Sequence, residues 1–380
     1  MVGGGIGGLA AALALAQQGF TSRVIEQAAE FREIGAGIQL GPNVFRRFAR
    51  LGLTDAISRV AVFPPELVMR DAMTGEVVTS VDLSDPFRAR FGKPYAVIHR
   101  ADLHQVLLEA CRASPAVELL TSRRLVHAAP EAGRVRGRFE DGSAVEGIAL
   151  IGADGLWSTI RQQVVGDGKP RVSGHIAYRA VLPMDQVPAD LRSPAVTLWA
   201  GPRTHLVHYP LRRGELFNLV AVFHSNRYEE GWNSYGDPAE LNERFAGQRP
   251  EVLRLLEKIE SWRMWVLCDR EPVRTWSRGP ITLLGDAAHP MLQYLAQGAC
   301  MAIEDAVCLA DKLAGLPDDP AAAFRAYEEE RYLRTARVQV MARIYGEVYH
   351  AAGVVRELRN QFMGGRDPRD YDGVAWLYEG

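Results

Sequence analysis

Three glycines near the start of the chain, Gly3, Gly5 and Gly8, have the spacing G-x-G-x-x-G within MVGGGIGGLAAALALAQQGF. Good helix formers follow them, Gly19 can end that helix, and TSRVIE then predicts a strand that ends at Glu26. In such a β-α-β unit the glycines allow a tight turn, close approach of the backbone to a pyrophosphate, and close packing of helix on strand. The helix N-terminus binds phosphate, and an acid placed like Glu26 accepts hydrogen bonds from a ribose. The spacing therefore predicts a nucleotide-binding site.

The same segment has other interpretations. A secretory signal would place a basic residue ahead of the apolar run, whereas the first basic residue is Arg23. A purely structural glycine-rich turn explains the glycines, but it does not explain the helix, strand and acid that follow at the expected spacing. Only Met1 and Val2 precede Gly3, fewer than the about five residues of an ordinary strand, so we expect the natural start to lie upstream.

Two aspartates, Asp154 and Asp286, each come directly after an apolar run, in IGADGLWSTIR and LLGDAAHPMLQYLAQGACMAIEDA. Either one alone is typical of a turn or a helix cap. The three motifs in this order, however, resemble those of the flavoprotein aromatic hydroxylases, the single-component FAD monooxygenases. The resemblance covers nearly the whole chain. It implies FAD as the cofactor, O2 and NADH or NADPH as co-substrates, and a small aromatic acid as the substrate.

The resemblance also assigns residues to the cofactor. The matching positions are Gly3, Gly5, Gly8, Glu26, Arg46, Arg100, Asp154, Arg161, Asp286, Gly298 and Ala299. The first four would hold the ADP half of FAD, and Asp286 would meet its ribityl or pyrophosphate part. Asp154 with Arg161 would lie in the cleft between FAD and NAD(P)H. Arg100 in IHRADL would lie near the phosphates, with Arg46 as a weaker candidate for a similar role.

Two further features of the sequence concern the pyrimidine end of the flavin and the binding of the reductant. The backbone of Gly298 and Ala299 would face the pyrimidine end of the flavin, where a helix N-terminus stabilises negative charge on the reduced ring. The chain carries no second G-x-G-x-x-G motif. Flavin enzymes with a dedicated nicotinamide domain have two, so we expect the reductant to bind only transiently.

Two segments point to a substrate class. GPRTHLVHYPLRRGE together with HPMLQYLAQGACMAIEDA resembles the 3-hydroxybenzoate 6-hydroxylase branch of the family, in which the residues matching His205 and Gln293 face the phenol oxygen. The chemistry needs such a pair, because an electrophilic hydroxyl attacks carbons ortho or para to a phenolate. His205 can accept the phenol proton near neutral pH, and Gln293 can fix the oxygen without a charge. Position 6 is para to the hydroxyl, so the implied product is gentisate, 2,5-dihydroxybenzoate.

Side chains alternate between the two faces of a strand, and this alternation divides the neighbours of His205 into two groups. Tyr209, four residues on, shares its face, so we expect it to contact substrate, whereas His208 faces the opposite side. Asp71 and Tyr95 also match the branch, and this resemblance predicts that they bind substrate. The sequence around them does not indicate a specific role. Taken alone, His205 is better explained as a packed histidine within a sheet, and it is the resemblance to the branch that favours catalysis. His289 is expected to shape its loop rather than to react.

Other functions remain open. A salicylate 1-hydroxylase or a 6-hydroxynicotinate 3-monooxygenase would share the fold and the cofactor. An NAD-dependent dehydrogenase explains the N-terminal motif but gives no role to Asp154 or Asp286. If the chain were a non-catalytic flavin-binding protein, the pair His205 and Gln293 would have no role.

The composition narrows the class further. The chain has 380 residues, of which 47% are hydrophobic and 24% charged, typical of a globular protein. A net charge of -2 argues against nucleic acid as the main partner. The four cysteines lack the spacing of a metal site, so we predict no metal and expect reduced thiols in a cytoplasmic protein. The chain has no run of about 18 apolar residues, so the sequence predicts no membrane-spanning helix.

The elements that position these residues predict an α/β fold. A Rossmann-like FAD-binding domain is expected from 1–70, 96–170 and 276–320, with an inserted, mostly antiparallel β-sheet substrate domain from 71–95 and 171–275. Residues 62–98 alternate as strands with a turn at TG, HRADLHQVLLEACRAS predicts a helix from Ala101 or Asp102, and DG predicts a hairpin turn. A C-terminal helical region, 321–380, would pack on the FAD domain or form a homodimer contact.

Overall fold

The computed structural model describes residues 1–33, 35–225, 235–259 and 261–379. Its helices in chain order are α1 (Ile6–Gln17), α2 (Pro42–Arg50), α3 (Thr54–Val60), α4 (Asp85–Phe91), α5 (Arg100–Ala113), α6 (Thr159–Val164), α7 (Pro238–Phe245), α8 (Pro250–Leu256), α9 (Gly298–Gly315), α10 (Pro320–Tyr349), α11 (Gly353–Met363) and α12 (Asp372–Tyr378). None of these helices has the length and apolarity needed to cross a membrane.

The strands complete the α/β architecture. In chain order they are β1 (Ser22–Ile25), β2 (Gly37–Leu40), β3 (Glu66–Asp71), β4 (Val77–Asp82), β5 (Ala96–His99), β6 (Val117–Leu120), β7 (Leu125–Glu131), β8 (Arg134–Phe139), β9 (Ala144–Gly147), β10 (Leu150–Gly152), β11 (Arg171–Pro183), β12 (Val196–Gly201), β13 (Thr204–Leu211), β14 (Leu216–His224), β15 (Arg263–Asp269), β16 (Ser277–Arg278) and β17 (Ile281–Leu283). Two small sheets, β2 with β5 and β7 with β8 and β9, flank the larger ones.

A parallel sheet carries the glycine motif. β1 pairs with β6 and β10 pairs with β17, both in parallel, while β16 adds a short antiparallel edge. Val2 joins the two halves through parallel bridges to Ile25 and Gly152. Its N–H donates to the carbonyl of Ile151 at 2.9 Å, and the N–H of Gly3 donates to the carbonyl of Ile25 at 2.8 Å. The first strand of the predicted β-α-β unit is therefore very short, but it occupies the centre of the sheet.

Helix α1 follows this strand directly and is buried along its apolar run. Residues 9–12 are completely inaccessible, and the helix packs between α9 and α5. Alanines and leucines on every side of α1 suit a helix that is covered on all faces rather than on one. The burial fixes the N-terminus of α1 against the strand ends, where a nucleotide site forms in α/β folds.

The second large sheet has seven strands in the order β15, β11, β14, β13, β12, β3, β4. All neighbours are antiparallel except β12 and β3. One face packs on α7 and α8 around Trp262 and Phe245, and the other packs on Leu292, Tyr294 and the α10 residue Ala342. The mostly antiparallel sheet is as predicted, although it begins at Glu66 rather than at 71. His205 lies on β13, near the middle of this sheet.

One predicted strand region contains a helix. Residues 62–98 do not alternate throughout, because α4 replaces the expected strand between β4 and β5. Its sequence carries helix signals: Ser84 at the N-cap position, Pro86 in the first turn, and Gly92 at the end with a left-handed φ of 70°. Phe87 and Phe91, four residues apart, bury one face of the helix. The turn at Gly75 and the β8–β9 hairpin are confirmed, and α5 begins one residue earlier than expected, at Arg100.

The C-terminal region is helical, as predicted, and returns to the N-terminal part of the chain. The 30-residue α10 runs past both sheets and is followed by α11 and α12. The rings of Tyr371 and Tyr378 pack edge-on against Phe87 and Phe91, with centroids 5.4 to 5.8 Å apart. These contacts connect the last helix to α4.

Candidate active site

The glycine motif forms a cradle with room for an anion. Gly3 has a φ of +102°, and a Cβ on it would lie 2.3 Å from the carbonyl oxygen of Ala153. A Cβ on Gly8 would lie 2.0 Å from the carbonyl oxygen of Gly3. The nearest atom to a Cβ on Gly5 is Oε1 of Glu33 at 3.6 Å, so the space above Gly5 is open. No side chain caps the N-terminus of α1, and its first N–H groups are therefore available to phosphate oxygens.

Glu26 lies beside this cradle at the end of β1. Its Oε2 accepts a hydrogen bond from the backbone N–H of Gly4 at 2.9 Å, and its Oε1 accepts one from Ala28 at 2.8 Å. Two backbone donors hold the carboxylate in one orientation next to the phosphate loop. This position fits a carboxylate that contacts the ribose of a dinucleotide.

Arg100 and Glu33 form an ion pair over the cradle. Nε of Arg100 lies 2.9 Å from Oε2 of Glu33, whose other oxygen is the atom nearest to Gly5. Arg100 is therefore close to the open space above Gly5, and its motif predicts that phosphates bind there. Sequence reasoning missed Glu33, because an acid beside a phosphate site is not expected from charge.

Asp286 lies where the parallel sheet meets the start of α9. Its Oδ1 is 3.8 Å from the position of a Cβ on Gly298, the first residue of that helix. No side chain caps α9, and the first N–H groups of a helix have no partner within it, so those of Gly298 and Ala299 can bind a ligand. Protein atoms around Asp286 desolvate its carboxyl and raise its pKa, while the positive charge of Arg100 acts in the opposite direction. The structure thus brings Asp286, Arg100 and the glycine cradle together.

Arg161 does not face an open cleft, contrary to the prediction, whereas Asp154 is half-buried and caps a helix. Asp154 accepts hydrogen bonds from the Ser158 hydroxyl at 2.6 Å and from the N–H of Ile160 at 3.2 Å, which caps α6. Burial raises the pKa of Asp154. Arg161 is completely buried and bonds Asp167 at 2.7 Å and the carbonyls of Ala287 and Ala288. A buried guanidinium needs internal partners. Arg161 therefore fixes the loop that carries Asp286.

Arg46 also has a different position from the one predicted. Its guanidinium donates to the carbonyls of Tyr378 at 2.8 Å and Phe91 at 3.0 Å, so it joins α2 to the C-terminal helix α12. These contacts direct Arg46 away from the phosphate cradle. Arg46 is thus explained by a contact with the end of the chain, whereas Arg50 of the same helix pairs with Asp311 of α9.

Asp71 is a buried anchor and not a substrate contact. Its carboxylate accepts hydrogen bonds from Arg359 at 3.0 Å and Asn360 at 2.7 Å on α11, and from the N–H of Met73 at 2.8 Å. Burial acts to raise the pKa of Asp71, but the hydrogen bond from Asn360 and the backbone donors lower it overall. Tyr95 is buried as well and donates its hydroxyl to Gln39 on β2.

His205 faces the α10 side of the large sheet. Its ring centroid lies 5.5 Å from that of Tyr294 and 5.7 Å from that of Tyr349. Nδ1 is hydrogen-bonded to Nε2 of His350 at 2.7 Å. Nε2 makes no hydrogen bond with any described residue and is not fully enclosed. Burial lowers the pKa of His205 to about 3, so the ring is neutral at pH 7.

His208 lies on the opposite face, as alternation along β13 predicts. Its Nε2 accepts a hydrogen bond from the Trp199 indole at 3.1 Å, and its ring packs on Phe217 with centroids 5.1 Å apart. This is the face covered by α7 and α8. The two histidines, three residues apart, therefore lie in separate environments, and only His205 has an available ring nitrogen near the other predicted substrate residues.

Gln293 and Arg179 lie on the same side of the sheet as His205. Gln293 directly precedes Tyr294, whose ring touches His205, and its Oε1 accepts a hydrogen bond from Arg179 on β11. Burial lowers the pKa of Arg179 to about 10, which still leaves the guanidinium charged at neutral pH. Its Nε is buried without a hydrogen bond, so this donor has no partner among the described residues. The hydroxyl of Tyr209 lies 2.7 Å from a Cβ position on Gly37, where β2 meets the sheet.

Sequence reasoning did not single out Arg179, Glu304 or Asp305. Arg179 falls within an alternating strand segment, where an arginine ordinarily faces solvent. Glu304 and Asp305 lie on α9 and are bound by Arg331 at 2.6 and 2.7 Å, with Arg334 also on Glu304 at 2.6 Å. The acidic pair in an otherwise apolar helix is the signal that could have predicted this buried network, since such charges need partners.

Comparison with known proteins agrees with this geometry. Residues 1–342 match the family described as FAD binding domain. The chain is 48% identical over 379 residues to a 3-hydroxybenzoate 6-hydroxylase of Polaromonas naphthalenivorans (strain CJ2), covering 100% of this chain and 94% of the relative. It is 47% identical over 380 residues to 3-hydroxybenzoate 6-hydroxylase 1 of Aquipseudomonas alcaligenes, covering 100% and 96%.

A solved structure with the same fold contains the cofactor. The crystal structure of Klebsiella pneumoniae HpxO complexed with FAD and uric acid superimposes with a TM-score of 0.86 at 28% identity, covering 99% of this chain and 96% of that one. The open glycine cradle, the carboxylate at the end of β1 and the uncapped start of α9 fit a bound FAD. The chain belongs to the FAD-binding family of flavoprotein aromatic hydroxylases and is a flavin-dependent aromatic monooxygenase.

Proposed function

We propose that this monooxygenase uses NADH or NADPH and O2 to hydroxylate 3-hydroxybenzoate at the position para to its hydroxyl, which yields gentisate. The observation that carries the proposal is the available Nε2 of His205, on the same side of the sheet as Gln293 and Arg179. Whole-chain identities of 47 to 48% with proteins named 3-hydroxybenzoate 6-hydroxylase support the choice of substrate.

His205 acts on the phenol proton in this proposal. When bound, FAD would supply an electrophilic oxygen to the substrate, and ring carbons ortho or para to a phenolate accept such an oxygen most readily. When Nδ1 of His205 donates to His350, the lone pair on Nε2 can accept the phenol proton. The low pKa of His205 means that the proton does not stay on this ring at neutral pH.

Gln293, Arg179 and Tyr209 orient the substrate and balance its charge. The amide of Gln293 can hydrogen-bond the phenol oxygen in either protonation state. The positive charge of Arg179, desolvated and stacked on Trp265 at 5.3 Å, stabilises negative charge on an aromatic acid. Tyr209 shares this face, and its raised pKa keeps its hydroxyl protonated as a donor.

The cofactor positions follow the same proposal. The glycine cradle and Glu26 would hold the ADP half, Arg100 and Asp286 would hold the phosphates and the ribityl chain, and the start of α9 would bind the pyrimidine end. We propose the predicted division into a discontinuous FAD-binding domain, an inserted substrate domain and a C-terminal helical region. A cytoplasmic location suits a supply of NADH and the four cysteines, which form no disulfide.

A homodimer is part of the proposal. Four apolar side chains on one side of α11, Val354, Val355, Leu358 and Phe362, are 57 to 76% exposed and form what we name the α11 apolar face. Contiguous exposed apolar surface of this kind is typical of protein contacts. A two-fold contact with a second copy would bury the same residues on both subunits.

The test is turnover with hydroxybenzoate isomers. The purified protein is mixed with 2-, 3- or 4-hydroxybenzoate or 6-hydroxynicotinate while NADH or NADPH loss is followed, and products are identified by chromatography. We expect gentisate from 3-hydroxybenzoate, in near-stoichiometric yield with the reductant consumed. Efficient turnover of 2-hydroxybenzoate or 6-hydroxynicotinate, without gentisate from the 3-isomer, would instead favour a related hydroxylase.

A further inference from the structure

Three histidine rings form a hydrogen-bonded line from the proposed substrate site toward solvent. Nδ1 of His205 lies 2.7 Å from Nε2 of His350, and Nδ1 of His350 lies 3.1 Å from Nε2 of His224. His205 and His350 are 3% and 4% exposed, while His224, at the end of β14, is partly exposed. The line therefore connects a buried nitrogen to the surface through one intervening ring.

Neutral rings suit proton transfer along this line. Burial lowers the pKa of all three histidines, that of His205 to about 3. A neutral imidazole has one N–H donor and one lone pair. If each Nδ1–H donates to the next Nε2, the Nε2 lone pair of His205 is left facing the substrate side, and Nδ1 of His224 carries a proton at the outer end. Nδ1 of His224 makes no hydrogen bond with a described residue and is not fully enclosed.

We propose that His205, His350 and His224 form a proton relay that carries the phenol proton out of the active site and returns one after hydroxylation. His350 and His224 are positioning and transfer residues that act through His205, the only ring of the three placed to touch the substrate. The inference rests on the proposed function, because the relay needs a phenol at His205.

The proton transfers balance. The phenol O–H bond breaks as an N–H bond forms at Nε2 of His205. The Nδ1 proton of His205 moves to Nε2 of His350, the Nδ1 proton of His350 moves to Nε2 of His224, and the Nδ1 proton of His224 passes to water. One proton has left, a phenolate remains, and each ring is neutral in its other tautomer. After oxygen transfer, the hydroxylated carbon loses its hydrogen as a proton to water, and the ring ketone takes up a proton by the reverse sequence. The aromatic ring and the starting tautomers are thereby restored.

Among the described residues, charged side chains shift the pKa of His224 at the outer end of the relay, whereas only other histidines act electrostatically on His205 and His350. Glu347 of α10 raises the pKa of His224, while Arg203 of the β12–β13 turn and Arg244 of α7 lower it. The N–H of Arg203 also donates to the carbonyl of His350 at 2.9 Å, which fixes that residue after the end of α10. Around the inner rings the packed titratable groups are His175, Tyr294 and Tyr349. Burial, the largest cause, and the two arginines together outweigh Glu347, so release of a proton from His224 is favoured over its retention.

A fourth histidine provides the control. His175 lies opposite His224 on β11, with ring centroids 4.2 Å apart, but its Nδ1 is bonded to the Tyr294 hydroxyl and not to the relay. The ligand atoms of His175, His224 and His350 all lie within 4.8 Å of one another, which also makes them a possible metal-binding set. A metal on His224 and His350 would occupy the nitrogens that the relay uses, so the two roles exclude each other.

The experiment compares His350→Gln and His224→Gln with His175→Gln in the FAD-loaded enzyme. Gln retains hydrogen bonding but transfers protons poorly. With 3-hydroxybenzoate at pH 7, we expect His350→Gln to lower the gentisate formed per NADH by at least about tenfold, below the 10²- to 10⁴-fold typical of losing the base itself. His224→Gln should show a smaller loss, because water can replace a partly exposed ring. His175→Gln should couple like the unmodified enzyme, and FAD content should be equal in all.

A second readout separates proton transfer from packing. A phenol ionises near pH 10, so at rising pH more substrate enters as phenolate and bypasses the relay. Coupling in His350→Gln should therefore recover as the pH rises from 7 to 9. It should also recover with 4-fluoro-3-hydroxybenzoate, whose phenol is more acidic. A packing defect would not respond to the ionisation of the substrate.

Three outcomes would overturn the relay: unchanged coupling in His350→Gln at pH 7, a loss in His175→Gln as large as in His350→Gln, or no recovery with pH and the fluorinated substrate. Stoichiometric metal in the purified enzyme, with activity lost on chelation, would assign the histidines to a metal site instead. Failure of the unmodified enzyme to form gentisate would reject the proposed function, and the same variants would then be compared with the phenol that is turned over.

Discussion

Nε2 of His289 lies 2.5 Å from Oδ2 of Asp305, and the same oxygen accepts a hydrogen bond from the backbone N–H of Gly285 at 3.1 Å. One carboxylate on α9 thus holds both ends of the GDAAH loop, and the chain between them carries Asp286. The position of a proposed cofactor ligand depends on a side chain that does not itself contact the cofactor. This agrees with the expectation that His289 shapes its loop.

Asp305→Asn should loosen that loop and weaken FAD binding. The substitution removes the negative charge that Arg331 and His289 share, and breaking a buried pair in this way typically costs about 3–5 kcal/mol. We expect a lower unfolding temperature. We also expect a larger dissociation constant for FAD, measured by flavin fluorescence. Asp311→Asn on the same helix is the control, because its ion pair with Arg50 is exposed. Equal FAD affinity in both variants would contradict the loop's dependence on Asp305.

Acid should destabilise the fold through Glu304. Desolvation acts to raise its pKa, but Arg331 and Arg334 lower it from 4.5 to about 2. A carboxyl with a depressed folded-state pKa stabilises the protein fully above about pH 4.5, and this contribution is lost as the pH falls toward 2. The shift corresponds to about 3 kcal/mol. Urea unfolding at pH 6, 5, 4 and 3 should show it, and Glu304→Gln should be less stable at pH 6 with a shallower dependence on pH.

His205→Ala should leave FAD binding intact and impair hydroxylation. Loss of a general base typically costs about 100- to 10,000-fold in the step that it serves. Flavin reduction should fall less than gentisate formation, and hydrogen peroxide should account for the missing product. The matched variant is His208→Ala, on the opposite face of the strand against Trp199. Normal coupling in His205→Ala, or the same loss in His208→Ala instead, would show that the base is assigned to the wrong residue.

Arg100 and Arg46 should respond differently to the same substitution. Arg100→Gln removes a charge beside the phosphate cradle, and we expect FAD to bind at least about tenfold more weakly, the effect of about 1.4 kcal/mol. Arg46→Gln removes hydrogen bonds to Tyr378 and Phe91, so the unfolding temperature should fall while FAD affinity changes little. Equilibrium FAD titration and thermal unfolding of both variants check this. A tenfold loss of FAD affinity in Arg46→Gln would restore that residue as a phosphate ligand.

The α11 apolar face should determine the association state. Phe362→Glu places a charge at its most exposed position, 76% accessible, and is expected to convert a dimer into a monomer. Leu316→Glu is the control, since Leu316 is also exposed, at 41%, but lies outside that face. Sedimentation velocity measures both. A monomeric unmodified protein would reject the dimer.

Local patterns predicted the nucleotide motif because its chemistry is local. Gly3, Gly5, Gly8 and Glu26 lie within one β-α-β unit, where spacing alone fixes which groups meet. The opposite orientations of His205 and His208 followed in the same way from the two-residue period of a strand. In each case the relevant neighbours are a few residues away in sequence.

Contacts over long sequence separations were not predictable from such patterns. Arg46 meets Tyr378 and Asp71 meets Arg359, pairs separated by 332 and 288 positions. Each of these polar residues matches a family position and was therefore predicted to bind the cofactor or the substrate. In the structure its partner is instead a distant part of the same chain. Arg161 was misassigned for the same reason, because its buried carbonyl partners lie 126 and 127 residues later.

Val2, between Ile25 and Gly152, also constrains the order in which the molecule can form during synthesis. Its strand is central, yet Gly152 itself pairs with Leu283, so the sheet that supports the glycine cradle closes only when residues near 283 are available. Chains grow from the N-terminus, and contacts between distant segments form slowly. A nascent chain that has reached residue 275 contains every residue of the phosphate loop but lacks β17 beside β10. We therefore expect a ribosome-bound chain to acquire FAD only late, after the inserted seven-stranded sheet has been made.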